Sequence, residues 1–243
     1  MTSVRELHAA WSALPVGGLT DIIGTGRCIV LAPHPDDESL GCGGLIASCV
    51  AEGRLPIVLI LTDGTGSHPR SAAYPPDRLR ALRQQEAINA VGSLGLTADH
   101  VQFLNEKDTA APMQGPAFDA VVATILRVVP ALTTAILAPW RQDPHCDHEA
   151  AAMIAERVAA LRNLRLVSYP VWGWTLPPAN EIDERPRIGW RLDIARHLPA
   201  KRRAISAHRS QHCGLITDDP TGFELPPNLL AVFDHPFETF LLP

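Results

Sequence analysis

The sequence has no apolar run approaching the roughly 18 residues needed to span a membrane. It has no pair of cysteines at C-x-x-C spacing, the usual mark of a thiol redox or zinc motif. Its five cysteines, Cys28, Cys42, Cys49, Cys146 and Cys213, are an odd number scattered over 243 residues. That argues against a disulfide framework and reads as reduced, mostly buried thiols in a cytosolic protein. Positive charge is not in excess. Lys and Arg number 21 against 26 Asp and Glu, a formal net charge of −5, so composition builds no basic face for nucleic acid. The opening segment MTSVRELHAAWSALPVGGL lacks the basic stretch and apolar core of a secretory signal, so a cytoplasmic location is expected. No internal repeat or low-complexity linker interrupts the chain.

What is present is a globular composition, 46% apolar and 19% charged, which excludes a disordered chain. The length suits one domain with a substantial core. Pro (22 residues) and Gly (17 residues) together exceed the usual share of about 12%. There are ten histidines, the commonest metal-ligand type, so their clustering matters.

Short apolar runs alternate with helical patterns. Cys28–Ala32, Pro56–Thr62, His100–Leu104, Thr134–Ala138 and Leu164–Tyr169 read as strands. Ser3–Ala13, Ser39–Ala51, Asp77–Leu94, Phe118–Val129, Glu149–Leu161 and Lys201–Ser210 read as helices, with Asp77 as an N-cap and Gly95 as a stop. The alternation predicts an α/β fold with a mostly parallel sheet covered on both faces. After Pro170 the rhythm fails. Residues 170–200 carry Trp172, Trp174, Pro177, Pro178, Pro186 and Trp190, and predict loops or short antiparallel strands.

Two clusters fall just beyond the carboxyl ends of predicted strands, where a parallel sheet places its site. Pro33-His34-Pro35-Asp36-Asp37-Glu38 follows the first strand. Asp143-Pro144-His145-Cys146-Asp147-His148-Glu149 follows the fourth and opens a helix. Catalytic zinc takes three His or carboxylate ligands and keeps one position open. His34 and Asp37, three apart on a tight loop, can turn toward one ion that His148 completes. Asp36 is then a candidate base for water, and His145 a candidate proton donor oriented or charged by Asp147. Taken singly, each cluster also suits a turn or a helix cap; both together, with complementary roles, point to metal-assisted amide hydrolysis.

The segment LAPHPDDESLGCGGLIA resembles the first signature of the PIG-L/LmbE-like zinc N-deacetylases, and HCDH their second. LTDGTGSH, RQQEAINAVGSLG and AHRSQ resemble further family segments, so the likeness spans about residues 27–212. It implies a Rossmann-like three-layer fold in a single domain. It also implies removal of an N-acetyl group from an amino sugar, usually N-acetylglucosamine, carried by a larger conjugate. By position, His34, Asp37 and His148 are similar to the family's zinc ligands, one Zn2+ per chain being implied and Fe2+ accommodated by the same set. Asp36 matches its general base, His145 the histidine that steadies the oxyanion or protonates the amine, and Asp147 that residue's carboxylate neighbour.

Weaker candidates surround this set. Asp63 either hydrogen-bonds sugar hydroxyls or caps a turn. Arg80 or Arg83 either clamps substrate or belongs to a helix face, with Glu86 as a structural partner. Trp172 and Trp174 are sugar-stacking platforms or core and dimer contacts. His68 neighbours the site, His208 supports the fold, and Cys146 faces away. Substrate specificity is expected in residues 170–243. Two other functions stay open: an amidase for bulkier N-acyl or thiol-conjugate amides, and a binding module with structural zinc. Neither composition nor motif determines an oligomeric state.

Overall fold

Strand-forming runs with apolar residues at every position need cover on both faces, and the fold supplies it. The computed structural model describes residues 1–184 and 188–242; Pro186 and the end of the chain at Pro243 lie outside them. The elements open with β1 (Thr2–Ser3), α1 (Val4–Ser12), α2 (Leu19–Ile23), β2 (Arg27–Ala32) and α3 (Asp37–Ala51). Next come β3 (Ile57–Thr62), α4 (Pro76–Ser93), β4 (Val101–Glu106), α5 (Gly115–Val128) and β5 (Thr133–Pro139). They continue with α6 (Cys146–Arg162), β6 (Arg165–Tyr169), β7 (Glu181–Ile182) and β8 (Gly189–Asp193), and close with α7 (Leu198–Ala207), α8 (Pro227–Phe233) and β9 (Phe237–Leu241).

The main sheet has seven strands in the order β4-β3-β2-β5-β6-β9-β8. The first five are parallel, while β9 runs antiparallel to both β6 and β8. Side-chain alternation splits the core in two. Cys28, Val30 and Ala32 of β2 face α2, α3, α4, α7 and α8; Ile29 and Leu31 face α5 and α6. This is a three-layer α/β/α domain. A satellite cluster of Leu7, Trp11, Leu14, Trp140 and Leu241 seats α1 on the sheet end. Small residues let the layers close: a Cβ on Gly41 of α3 would lie 2.2 Å from the Tyr169 ring, whose hydroxyl donates to the Leu31 carbonyl at 2.8 Å.

Strand order reverses between β2 and β5, because β3 and β4 lie to one side of β2 while β5 and β6 lie to the other. The loops leaving those two strands diverge and open a crevice, the ligand position in open α/β sheets. Three of the helix starts that differ from the sequence-based expectation bear on the site or its caps. Helices α3 and α6 begin at Asp37 and Cys146, not at Ser39 and Glu149, so both site clusters run into first helical turns. Helix α4 begins at Pro76 with Pro75 as its cap, which displaces Asp77 into the first turn. Helices α2 and α8 and strand β9 carry no strong local pattern and are organised by packing on the sheet. Among the described residues no helix is long and apolar enough to cross a membrane. All five cysteines are free; Cys28, Cys42 and Cys49 are buried, while Cys146 and Cys213 are exposed.

Candidate active site

The crevice brings residues of the two clusters together, with His34, Asp36, Asp37 and His145 lining its cavity. The Asp37 carboxylate caps the loop after β2 by accepting from the His34 backbone N–H at 3.0 Å. Its Oδ2 lies 3.2 Å from His34 Nδ1 and 3.3 Å from His148 Nε2. His34, His145 and His148 present ring nitrogens within 4.8 Å of one another. His148, fully buried, donates from Nδ1 to Asp143 Oδ2 at 2.7 Å. Its Nε2 makes no hydrogen bond although it sits in the interior. A buried imidazole nitrogen left open, beside a second histidine and a carboxylate, is a donor set that could hold a metal ion. Burial opposes charging His148, but Asp37 and Asp143 outweigh it and lift its pKa to about 9. The surroundings that draw a proton to this position equally favour a metal cation. His34 is likewise lifted: burial opposes it, and Asp108, Asp147 and Asp37 prevail.

Asp36 lies between the loop and helix α3 with φ at 149°, a strained conformation for a non-glycine residue. Two partners hold it there. Its backbone N–H donates to Glu38 Oε2 at 3.0 Å, and its carboxylate receives Arg83 Nη2 at 3.2 Å. Glu38 in turn binds Ser39 at 2.6 Å and His208 at 3.0 Å, so His208 supports the site from below. Burial pushes the Asp36 carboxyl up to about 7; Arg83 pulls it down and Asp37 raises it further. His145 shifts the other way: burial lowers it, aided by the charges of His34 and His148. A carboxyl raised well above its ordinary range and an imidazole lowered below its own, both lining the same cavity, suit proton transfer.

Several candidates stand elsewhere than their sequence suggested. Asp147, expected beside His145, also reaches His34: its Oδ2 lies 3.1 Å from His34 Nε2 and accepts the Thr109 amide at 2.7 Å, while Oδ1 accepts the Ala111 amide at 3.0 Å. His145 Nδ1 accepts the backbone N–H of Asp147 at 3.2 Å at the start of α6, and a His145 ring nitrogen lies within 4.8 Å of an Asp147 carboxylate oxygen. Arg83 is buried rather than on a solvated face, and also donates to the Gly64 and Pro35 carbonyls at 2.8 Å each. Glu86 instead binds Ser210 at 2.6 Å. Arg80 is on the surface with Asp77. Asp63 caps a turn through Thr65, accepting its backbone and hydroxyl at 3.1 and 2.9 Å. Trp174 packs on Trp11, leaving Trp172 to line the cavity. His68 is buried against Ser67. Sequence reasoning missed Asp108, 3.4 Å from His34 Nε2, and gave Asp143 no role. Asp143 stood in the second cluster; Asp108 had no motif around it.

The cavity above the cluster measures about 200 Å³. Its floor is His34, Asp36 and His145, and its wall includes Trp172 and Phe223, whose rings meet edge to face at 5.6 Å. An open His/Asp donor set with adjoining acid and base groups, at the switch point of a parallel sheet, defines a metal-dependent α/β hydrolase class of site.

The chain belongs to the PIG-L family: the family profile, described as GlcNAc-PI de-N-acetylase, matches residues 29–159. A curated relative from Rhodococcus jostii (strain RHA1), 1D-myo-inositol 2-acetamido-2-deoxy-alpha-D-glucopyranoside deacetylase, is 27% identical over 82% of this chain and 84% of its own. The N,N'-diacetylchitobiose deacetylase of Pyrococcus horikoshii shares the fold with a TM-score of 0.66 and 21% identity, covering 98% of this chain and 90% of that one. A 4-carboxy-2-hydroxymuconate hydratase of Pseudomonas putida KT2440 shares it too, with a TM-score of 0.54 and 21% identity over 75% of this chain and 78% of that one. Architecture alone therefore does not choose the chemistry; the site must.

Proposed function

We propose that the protein is a zinc-dependent hydrolase that removes the N-acetyl group from an N-acetylglucosamine-type sugar within a larger conjugate. The observation that carries this reading is the open Nε2 of buried His148, converging with His34 and Asp37 beneath a cavity that also holds Asp36 and His145. His34, Asp37 and His148 would hold the ion, and the same set accepts iron(II). Bound zinc supplies Lewis acidity, polarising an amide carbonyl and acidifying water.

The chain's own residues do the rest. Asp36 takes the proton of the attacking water, its carboxylate aimed by Arg83 and its backbone by Glu38. His145 hydrogen-bonds the developing oxyanion or delivers a proton to the departing sugar nitrogen, so that acetate and a free amine leave. Asp147 braces His34 and the Thr109–Ala111 loop. The wall of Trp172 and Phe223 offers an apolar face to the sugar ring. A cavity of about 200 Å³ is smaller than the ~300–1,000 Å³ of sites for drug-sized ligands, and suits one acetamido sugar with its conjugate outside. That size weighs against a bulky acyl group. The open position and the spare acid and base groups weigh against a purely structural ion.

Metal analysis joined to an acetate-release assay on a panel of N-acetylglucosamine conjugates tests the proposal. Wild-type protein is expected to carry one zinc per chain and release acetate. Asp36→Ala is expected to keep the zinc and lose turnover by about 10²–10⁴-fold. Full activity in that variant overturns the role of Asp36, and zinc binding without hydrolysis of any amide overturns the reading.

A further inference from the structure

We infer that Asp143 is a positioning residue that couples two parts of the proposed site: one carboxylate aims His148 at the metal position and sets the segment that carries Trp172. The inference rests on the functional reading above for the meaning of both parts, but its geometry is independent of the substrate. Asp143 lies in the loop after β5 and its side chain is wholly shielded from solvent. Oδ2 accepts from His148 Nδ1 at 2.7 Å and from the Trp172 backbone N–H at 3.0 Å. Oδ1 accepts from the Gly173 N–H at 2.5 Å, and both oxygens lie 3.3 Å from the Val171 nitrogen. Three consecutive amides thus converge on one carboxylate, an anion nest closed by an imidazole.

The arrangement leaves little freedom at either end. With Nδ1 committed to Asp143, Nε2, 3.3 Å from Asp37 Oδ2, is the ring atom left to offer its lone pair to a metal once its proton is released. The amides pin residues 171–173, so the Trp172 ring enters the cavity beside Phe223 at a defined place. Glycine at 173 is part of the device. A Cβ there would lie 3.0 Å from Asp143 Oδ1 and 2.9 Å from the Trp140 ring, so any larger residue pushes the amides off the carboxylate. Four donors meet one acceptor-only group, a demand that Asn cannot meet, because its NH2 would face a donor.

Three variants test the coupling, each checked for folding by circular dichroism. Zinc affinity of the metal-stripped protein is measured by competition with a chromophoric chelator. Hydrogen exchange of residues 170–175 is followed by mass spectrometry, and KM is measured at saturating zinc. Asp143→Asn is expected to weaken zinc binding by about 10–100-fold, to speed exchange in 170–175, and to raise KM about tenfold. Gly173→Ala, which leaves the Asp143–His148 pair chemically intact, is expected to weaken zinc binding through the shifted amides. Trp172→Ala is expected to raise KM with zinc affinity unchanged. The inference is overturned if Asp143→Asn lowers zinc affinity while exchange in 170–175 and KM stay at wild-type values, or if Gly173→Ala leaves zinc affinity unchanged. Should Asp143→Asn fail to fold, Gly173→Ala decides the matter. If wild-type protein hydrolyses no acetamido sugar, the functional reading fails, while affinity and exchange still decide the coupling.

Discussion

The crevice between β2 and β5 and the C-terminal third of the chain reach the same cavity by different means. At the crevice, two loops leave neighbouring parallel strands, and each delivers its groups within a few residues: His34, Asp36 and Asp37 from one, His145 and His148 from the other. Backbone direction at two strand ends does most of the positioning. The C-terminal wall has no such anchor. Trp172 comes from one segment and Phe223 and Leu225 from another, tied by scattered hydrogen bonds such as Phe223 N–H to the Ser67 carbonyl and Leu225 N–H to the Gln211 carbonyl, both at 2.6 Å. The candidate reacting groups thus stand at strand ends, the wall beside them stands on loops, and the Asp143 carboxylate, bound to His148 and to the amides of 171–173, ties the two.

The comparison breaks most sharply at Asp37. Asp37→Ala removes the carboxylate shared by His34 and His148, and is expected to abolish both zinc retention and acetate release, the latter unrestored by excess zinc in the assay. Retained stoichiometric zinc would dissolve the proposed ligand set. Next comes Arg83→Met, which strips the buried Asp36 of its cation. A fall in kcat of about a hundredfold with KM little altered is expected, and an unchanged kcat would show that Asp36 needs no such partner. In the C-terminal third the buried pair Lys201–Glu238, at 2.7 Å, carries stability rather than chemistry. Lys201→Met should cost about 3 kcal/mol in denaturant unfolding, because it leaves Glu238 buried with only the Gly44 and Leu45 amides. Activity per folded molecule should persist.

A smaller effect should follow pH. Burial lowers the His208 pKa, but Glu38 overrides it and the folded value stands above the ordinary 6.5. A raised folded pKa means that this pair's stabilisation is complete below pH ~6.5 and is lost as pH rises through the folded value. Melting temperatures measured from pH 5.5 to 8.5 should therefore fall less steeply for His208→Gln than for wild type. Equal slopes would remove the pair from the account. Smallest of all, Cys146→Ser should leave kcat and zinc content within about twofold, since the thiol's polar neighbours are the Thr109 carbonyl and Asp147 at 3.7 and 3.8 Å.

Much of the first region was legible from residues alone. PHPDDE and DPHCDH follow apolar strands, and the alternation of strands and helices implies the parallel sheet that sets those strand ends side by side. Their helices were placed two or three residues late, because site residues occupy first turns usually filled by capping types. The second region was opaque. Strand β9 joins the sheet antiparallel between β6 and β8, a pairing set by partners more than forty residues away. Arg83 looked like surface because its helix is polar; burial came from the loops folded over it, 47 residues from Asp36. Asp147 and His145 are neighbours in sequence, yet the turn of α6 gives their side chains different partners.

The sequence by itself determined the donor types, their grouping into two clusters and the strand ends that carry them, because these depend on local spacing and hydrophobic period. Only the tertiary structure decided that Asp143 binds His148 and the amides of 171–173, that Arg83 and Glu38 hold Asp36, and that Asp147 braces His34. Those contacts join groups that local pattern does not pair, and each is favoured because burial removes water and makes a partner within the protein the replacement for it.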